Sequence, residues 1–232
     1  MIESMGAITT ECVRQTEQLD CAMHNIANVD TTGFKAAMMF FMKDGATRSG
    51  EGKPIFINDF SQGILKRTGN KLDMAIQGEG FFAVETEDGF GYTRDGRFLL
   101  NNDGELVTQG GRFVMGKSGK ITIAGSDVQI NEKGVIMVDG VEVDTIKVSI
   151  FEQSNKLVRG EGGLFFDPDE TAGTREADDA AVISGSLELS NVHPIQEMVK
   201  LIDIHRTFES YQKTMQTLQE QDKLSTTSIG KV

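Results

Sequence analysis

Two apolar stripes of helical period, one at each end of the chain, most constrain what this sequence can fold into. From the start, Met5, Ile8, Cys12, Gln15, Leu19, Ala22, Ile26 and Val29 recur at alternating spacings of three and four, with Gln15 the single polar member. That is the seam of a heptad pattern. Glu3, Glu11, Arg14, Glu17 and Asp20 fill much of the remainder, so the segment predicts an amphipathic helix of roughly 25 residues with a narrow apolar stripe. It stops at Val29 to Gly33, where β-branched residues weaken the helix and Gly33 can adopt the left-handed conformation. From Ser190 the period returns, with Ile195, Met198, Val199 and Ile202 leading into Leu201, Ile204, Phe208, Tyr211, Met215 and Leu218. Asn191 suits the N-cap of this second helix and Pro194 its first turn. No third layer is evident to cover the two helices, so each is expected to bury its stripe against the other or against another copy. Ile195, Val199 and Ile202 lie partly away from Phe208 and Met215, an apolar set wider than one partner needs.

Between the helices the pattern changes. From about Ile64 to Ile183 short alternating runs are punctuated by glycine, with Asp88-Gly89, Asp95-Gly96, Asp103-Gly104 and Asp139-Gly140 as turn candidates. The 26 glycines against 3 prolines agree with many tight turns. The fold class expected is α+β, mainly β: a central antiparallel β domain flanked by N- and C-terminal helices that pair in a coiled-coil-like layer. The expected division is an N-terminal helix over 1–33, an extended or poorly ordered linker over 34–63, the β domain over 64–185, and a C-terminal helix over 186–232. Val141 and Val143 occupy one phase and Ile146, Val148 and Ile150 the other, so a continuous strand over 141–151 needs a bulge near Asp144 and Thr145.

Composition removes several function classes. A net charge of −12, with no long basic run, argues against nucleic acid and anionic membrane as partners. No stretch is long and apolar enough for a membrane span, and Met1 to Ser4 opens none of the basic and apolar regions of a cleaved secretory leader. Cys12 and Cys21 sit nine apart in one predicted helix, roughly 13 Å along its axis and too far to bridge. The histidines His24, His193 and His205 have no metal-ligand spacing, and the glycine-rich stretches at Gly78 and Gly160 carry an acid where a phosphate would sit. Asp167, Asp169 and Thr171 alternate like calcium ligands, but Ala172 and Asp178 occupy the positions that need Gly and Glu. The segment 161–179, which holds −6 of the net charge, reads as a solvated loop. No nucleophile elbow is present, and nothing selects a catalytic carboxylate pair. No cofactor, metal or small-molecule substrate is expected.

Four stretches resemble one family. The segment NIANVDTTGFK, from Asn25 to Lys35, closely resembles the N-terminal signature of the bacterial flagellar rod and hook proteins. GSLELSNV, from Gly185 to Val192, followed by Glu197 to Val199 and Arg206 to Glu209, is similar to the C-terminal signature. LDMAIQGEGFFAV from Leu72 to Val84 and YTRDGRF from Tyr92 to Phe98 resemble the opening of the family's β domain. Distal rod members usually carry FQDLLY after the Gly-Phe-Lys turn; this chain has MMFFMKD from Met38 to Asp44, which favours the proximal rod.

The resemblance implies a structural subunit, not an enzyme. Its partners would be other flagellar rod proteins, copies of itself and the flagellar export apparatus. It would leave the cytoplasm without a cleaved leader and stack in the basal-body rod across the periplasm, transmitting torque. Assembly helices would present Met5, Ile8, Cys12, Leu19, Ile26 and Val29 on one side. On the other stand Ile195, Met198, Leu201, Ile202, Phe208, Tyr211, Met215 and Leu218, in head-to-tail contacts that do not close. Asn25, Asn28, Thr32, Gly33, Phe34 and Lys35 would form the turn after the first helix, with Phe34 as an anchor. Gly185, Leu187, Glu188, Ser190, Asn191 and Val192 would lead from the β domain back into helix. A distal rod or hook-type subunit is the nearest alternative; an acidic β-domain enzyme and a monomeric binding module are alternatives of another class. Assembly predicts that protease trims both ends of the dilute protein to a fragment of roughly 64–185.

Overall fold

The computed structural model describes residues 2–42, 53–87, 89–177 and 180–229. It is α+β, with helices at the two ends and a mostly β central region. In chain order, helix α1 (Ile2–Ala27) precedes β1 (Ala37–Met42), β2 (Lys53–Asn58), β3 (Leu65–Arg67), β4 (Met74–Gln77), β5 (Phe81–Thr86) and β6 (Gly89–Thr93). Next come β7 (Phe98–Leu100), β8 (Leu106–Thr108), β9 (Val128–Ile130), β10 (Val135–Val138), β11 (Val141–Thr145) and β12 (Val148–Phe151). The short β13 (Val158–Arg159), β14 (Phe165–Phe166), β15 (Thr174–Glu176), β16 (Ala181–Ser184) and β17 (Ser186–Glu188) lead to helix α2 (Pro194–Ile229). The chain divides into two compact units and changes unit four times.

The helical unit holds Met1–Ala27, Ala37–Asp59 and His193–Val232. In it α1 lies against both α2 and β1. β1 and β2 form an antiparallel hairpin, from Ala37 opposite Asn58 to Met42 opposite Lys53. This hairpin lies within the stretch 34–63 that was expected to be an extended or poorly ordered linker, and it adds a layer that the two-helix reading lacked. Its period was hidden because Met38 to Met42 are apolar at every position, so no alternation marks the strand. The α2 N-terminus also departs from expectation. The Glu197 N–H donates to the His193 carbonyl, and the helix opens at Pro194, so Asn191 is not its N-cap.

The β unit holds Asn28–Ala36 and Phe60–Val192. Its largest sheet has the order β13-β14-β6-β5-β12-β15, and β9, β10 and β11 form a three-stranded sheet. Alternation along β5 serves two cores at once. Phe82 and Val84 join Met74, Ile76, Phe98, Leu106, Ile136 and Val148 in the main core, while Phe81 turns to the other side with Phe151, Leu157 and Phe165. The second core is aromatic, with Phe60 meeting Phe81 and Phe165 edge-on at centroid distances of 5.3 and 5.1 Å. Burial on both faces is why β5 reads as a continuous apolar run.

The expected strand over 141–151 splits into β11 and β12, which belong to different sheets. The register between β10 and β11 shifts where Ile136 opposes Asp144 and Met137 opposes Glu142, so the bulge falls at Val143. Val141 and Val143 are exposed rather than turned inward. Asp139 and Gly140, both at positive φ, make the tight turn between β10 and β11. Near the unit's end, β17 pairs with β3, Glu188 opposite Leu65. The β unit therefore runs past residue 185, because the strand that carries Glu188 is part of its pairing.

Candidate functional site

The N-terminal signature, the C-terminal signature and the YTRDGRF segment meet in one buried ion cluster. Lys35 Nζ donates to Glu188 Oε1 at 2.6 Å and to the Ser61 carbonyl at 2.7 Å. Arg94 Nη1 donates to Glu188 Oε2 at 3.0 Å, and its Nη2 to the Gly78 carbonyl at 2.7 Å. All three side chains are 3 % exposed or less. Burial lowers the Arg94 pKa from its ordinary value, against the opposing pull of the Glu188 charge. Glu188 Oε1 also accepts the Gly63 N–H at 2.8 Å. One carboxylate thus holds two cations and a backbone amide, with its charge closed off from solvent. Such an arrangement positions chain segments; it presents no open group to a substrate.

Around this cluster three stretches are stitched side by side. The Gly33 N–H donates to the Glu188 carbonyl at 2.7 Å, and the Leu189 N–H to the Ile64 carbonyl at 2.9 Å. Asn191 accepts the Ala36 N–H at 2.7 Å and donates to both the carbonyl and the hydroxyl of Ser61 at 3.2 and 3.1 Å. These bonds replace the capping role expected of Asn191: its amide is spent on the neighbouring stretches at Ala36 and Ser61. Gly33 sits at φ +67°, and a Cβ there would come within 2.3 Å of the Arg94 and Asp95 backbone. Both the turn and the close approach require glycine. Phe34 is buried in this unit, with the Arg159 guanidinium 4.5 Å from its ring centroid. Thr32, Leu187 and Val192 are buried nearby in the same unit, and Asn28 and Ser190 half-buried. Gly185, at φ +72°, separates β16 from β17.

In the helical unit, Asn25 does separate work. Its side chain pairs with the backbone of Ala37 as a neighbouring strand would, accepting the Ala37 N–H at 2.8 Å and donating to the Ala37 carbonyl at 2.9 Å. Its Nδ2 also lies 3.4 Å from Glu197 Oε2. Asn25 and Glu197 line a cavity of 390 Å³ between α1, β1 and α2, with Cys21, Ala22, Met39 and Ile204. The eleven-residue signature is therefore divided: Asn25 fixes the start of β1, while Gly33, Phe34 and Lys35 belong to the β unit.

The predicted assembly residues fall into two groups. Ile8, Cys12, Leu19 and Ile26 on α1 and Leu201, Phe208, Tyr211, Met215 and Leu218 on α2 are half-buried, as is Val29 in the β unit. Ile195 is 76 % exposed, and Met198, Val199 and Ile202 just over half. The Met5 side chain lies outside the described residues. Among the described residues no group of three or more His, Cys, Asp or Glu side chains is placed to hold a metal. Asp167 spends its two carboxylate oxygens on the Thr171 and Ala172 N–H groups of its own loop. Sequence reasoning missed Arg94, Ser61 and Arg159 as members of the cluster. Arg94 stood in a quoted segment, just past the end of β6, and nothing local set it apart from Asp95 and Arg97 beside it.

Comparison with known proteins agrees with the shared signatures. Residues 75–138 match the flagellar hook protein FlgE/F/G D1 domain, and residues 183–226 the flagellar basal body rod FlgEFG protein C-terminal domain. The chain is 34 % identical to the flagellar basal-body rod protein FlgF of Caulobacter vibrioides, over 93 % of each chain. It is 31 % identical to the FlgF of Mesorhizobium japonicum, over 83 % of each. To the flagellar basal-body rod protein FlgG of Bacillus subtilis it is 40 % identical, over 39 % of this chain and 42 % of that protein. The likeness to FlgF therefore runs nearly end to end.

Proposed function

This chain belongs to the FlgF-type family of flagellar basal-body rod proteins, and from that premise we propose how it works as a structural subunit of the rod. It joins other rod proteins and copies of itself head-to-tail through its terminal helices, in the proximal rod, and passes torque across the periplasm. It reaches that place through the flagellar export apparatus. The observation that carries this reading is the apolar face of α2. Ile195, Met198, Val199 and Ile202 stand exposed in the single chain, while the half-buried seam of Leu201, Phe208 and Met215 is already in use. Packing such a face in a coiled-coil-like layer removes apolar area from water at roughly 25 cal/mol per Å². Heterologous contacts of this kind extend into an array when the rotation does not close.

Electron cryotomography of flagellar motors in cells lacking the gene, beside a complemented strain, tests the role. A truncated rod that regains its length on complementation is the expected result, and the height of the truncation separates a proximal from a distal subunit. Intact rods and normal swimming in the deletion strain would overturn the assignment.

A further inference from the structure

The chain leaves the β unit at four points: before Asn28, after Ala36, before Phe60 and after Val192. Three of them lie next to the ion cluster in sequence, and the residues beside them are bonded to one another rather than to separate parts of the unit. Lys35 joins Ser61 and Glu188. Glu188 joins Gly63 through its side chain and Gly33 through its carbonyl. Asn191 joins Ala36 and Ser61. Each of the three stretches, 33–36, 61–64 and 188–191, is thus tied to both of the others.

We propose that Lys35, Glu188 and Asn191 form a mechanical clasp that fastens three of the four crossing points of the β unit, so that these stretches hold or yield as one element. Three independent linkers would each loosen alone. Fastened ones share any pull, because releasing one stretch leaves the Glu188 charge or the Asn191 amide buried without its partners, which weakens the hold on the other two. The charges make the clasp specific: Lys35 reaches a carboxylate 153 residues away in sequence, and only that register leaves Glu188 satisfied. The clasp rests on the bonds of the β unit alone and does not depend on the rod assignment.

Amide hydrogen exchange on the full-length chain, in dilute solution, tests this with Asn191→Ala and Lys35→Met. Asn191→Ala removes three hydrogen bonds and leaves every buried charge in place, so it should not unfold the unit. The expected result is a rise of about tenfold in exchange at 33–36, 61–64 and 188–191 together, with β5 and β12 still protected. Lys35→Met should give the same coordinated rise, and larger. If the Lys35 variant loses protection throughout the unit, the Asn191 variant decides. A rise confined to Ala36 and its immediate neighbours, or no rise in either variant, would overturn the clasp, whatever the motors of the deletion strain look like.

Discussion

Glu188 carries one negative charge against two positive ones, and that imbalance ranks the substitutions that follow from it. Glu188→Gln leaves Lys35 and Arg94 in a site closed to water without the carboxylate that both of them meet. Lys35→Met leaves Glu188 still paired with Arg94 at 3.0 Å and substitutes an apolar side chain of similar length. Breaking a buried pair by removing one partner costs about 3–5 kcal/mol, and Glu188→Gln should fall in that range or above. Lys35→Met should cost less, about 1–3 kcal/mol, since only a neutral pair remains buried. Urea titrations of the wild type and both variants, followed in the far-ultraviolet β band, measure the two costs. Equal destabilisation, or a greater loss for Lys35→Met, would show that the carboxylate is not the hub.

At the scale of elements, what the sequence disclosed depended on whether an element's period could be seen. Both helices were legible because their stripes alternate apolar with charged residues over many turns. β5 and its neighbours were legible as β through their glycine-punctuated runs, although the two-sided burial of Phe81 and Phe82 was not. The β1–β2 hairpin was hidden, because Met38, Met39, Phe40, Phe41 and Met42 show no polar face. Of the site, the positions could be named from the signatures, but not their partners. Nothing local in sequence ties Lys35 to Glu188, since the two meet where the turn at Gly33 bonds to the Glu188 carbonyl. The misread role of Asn191 has the same origin: it was judged from neighbours in sequence and is set by neighbours in space. A two-stranded hairpin is marginal by itself, so β1 depends on what fixes its first residue. Asn25→Ala removes the two bonds to Ala37, which leaves its N–H open and its carbonyl with only the weak Cys21 thiol donor at 3.3 Å, at about 1–3 kcal/mol. The expected outcome is faster amide exchange along β1 and β2 with the β unit unaffected; unchanged protection of Ala37 would show that the hairpin holds without the side chain.

For the whole molecule, the decisive question is what the exposed face of α2 is for, and a charge placed there separates the answers. Ile202 is just over half exposed and makes no contribution to either buried core of the β unit. Replacing it with Glu adds a charge to a surface that already meets water, so the stability of the single chain should change by no more than about 0.5 kcal/mol. Glu also keeps good helix propensity. In an assembled layer the same position would be desolvated, and an unpaired carboxylate there would be expelled or would force the contact apart. Ile202→Glu is therefore expected to melt like the wild type while abolishing assembly, read as loss of higher-order species in sedimentation velocity at high concentration and as truncated rods in complemented cells. The comparison also discriminates among readings of the fold. A monomeric binding module that keeps α2 on its own core would lose stability and gain no assembly defect, whereas a β-domain enzyme would lose neither. Only a subunit whose helices complete themselves on a neighbour loses its assembly and keeps its fold.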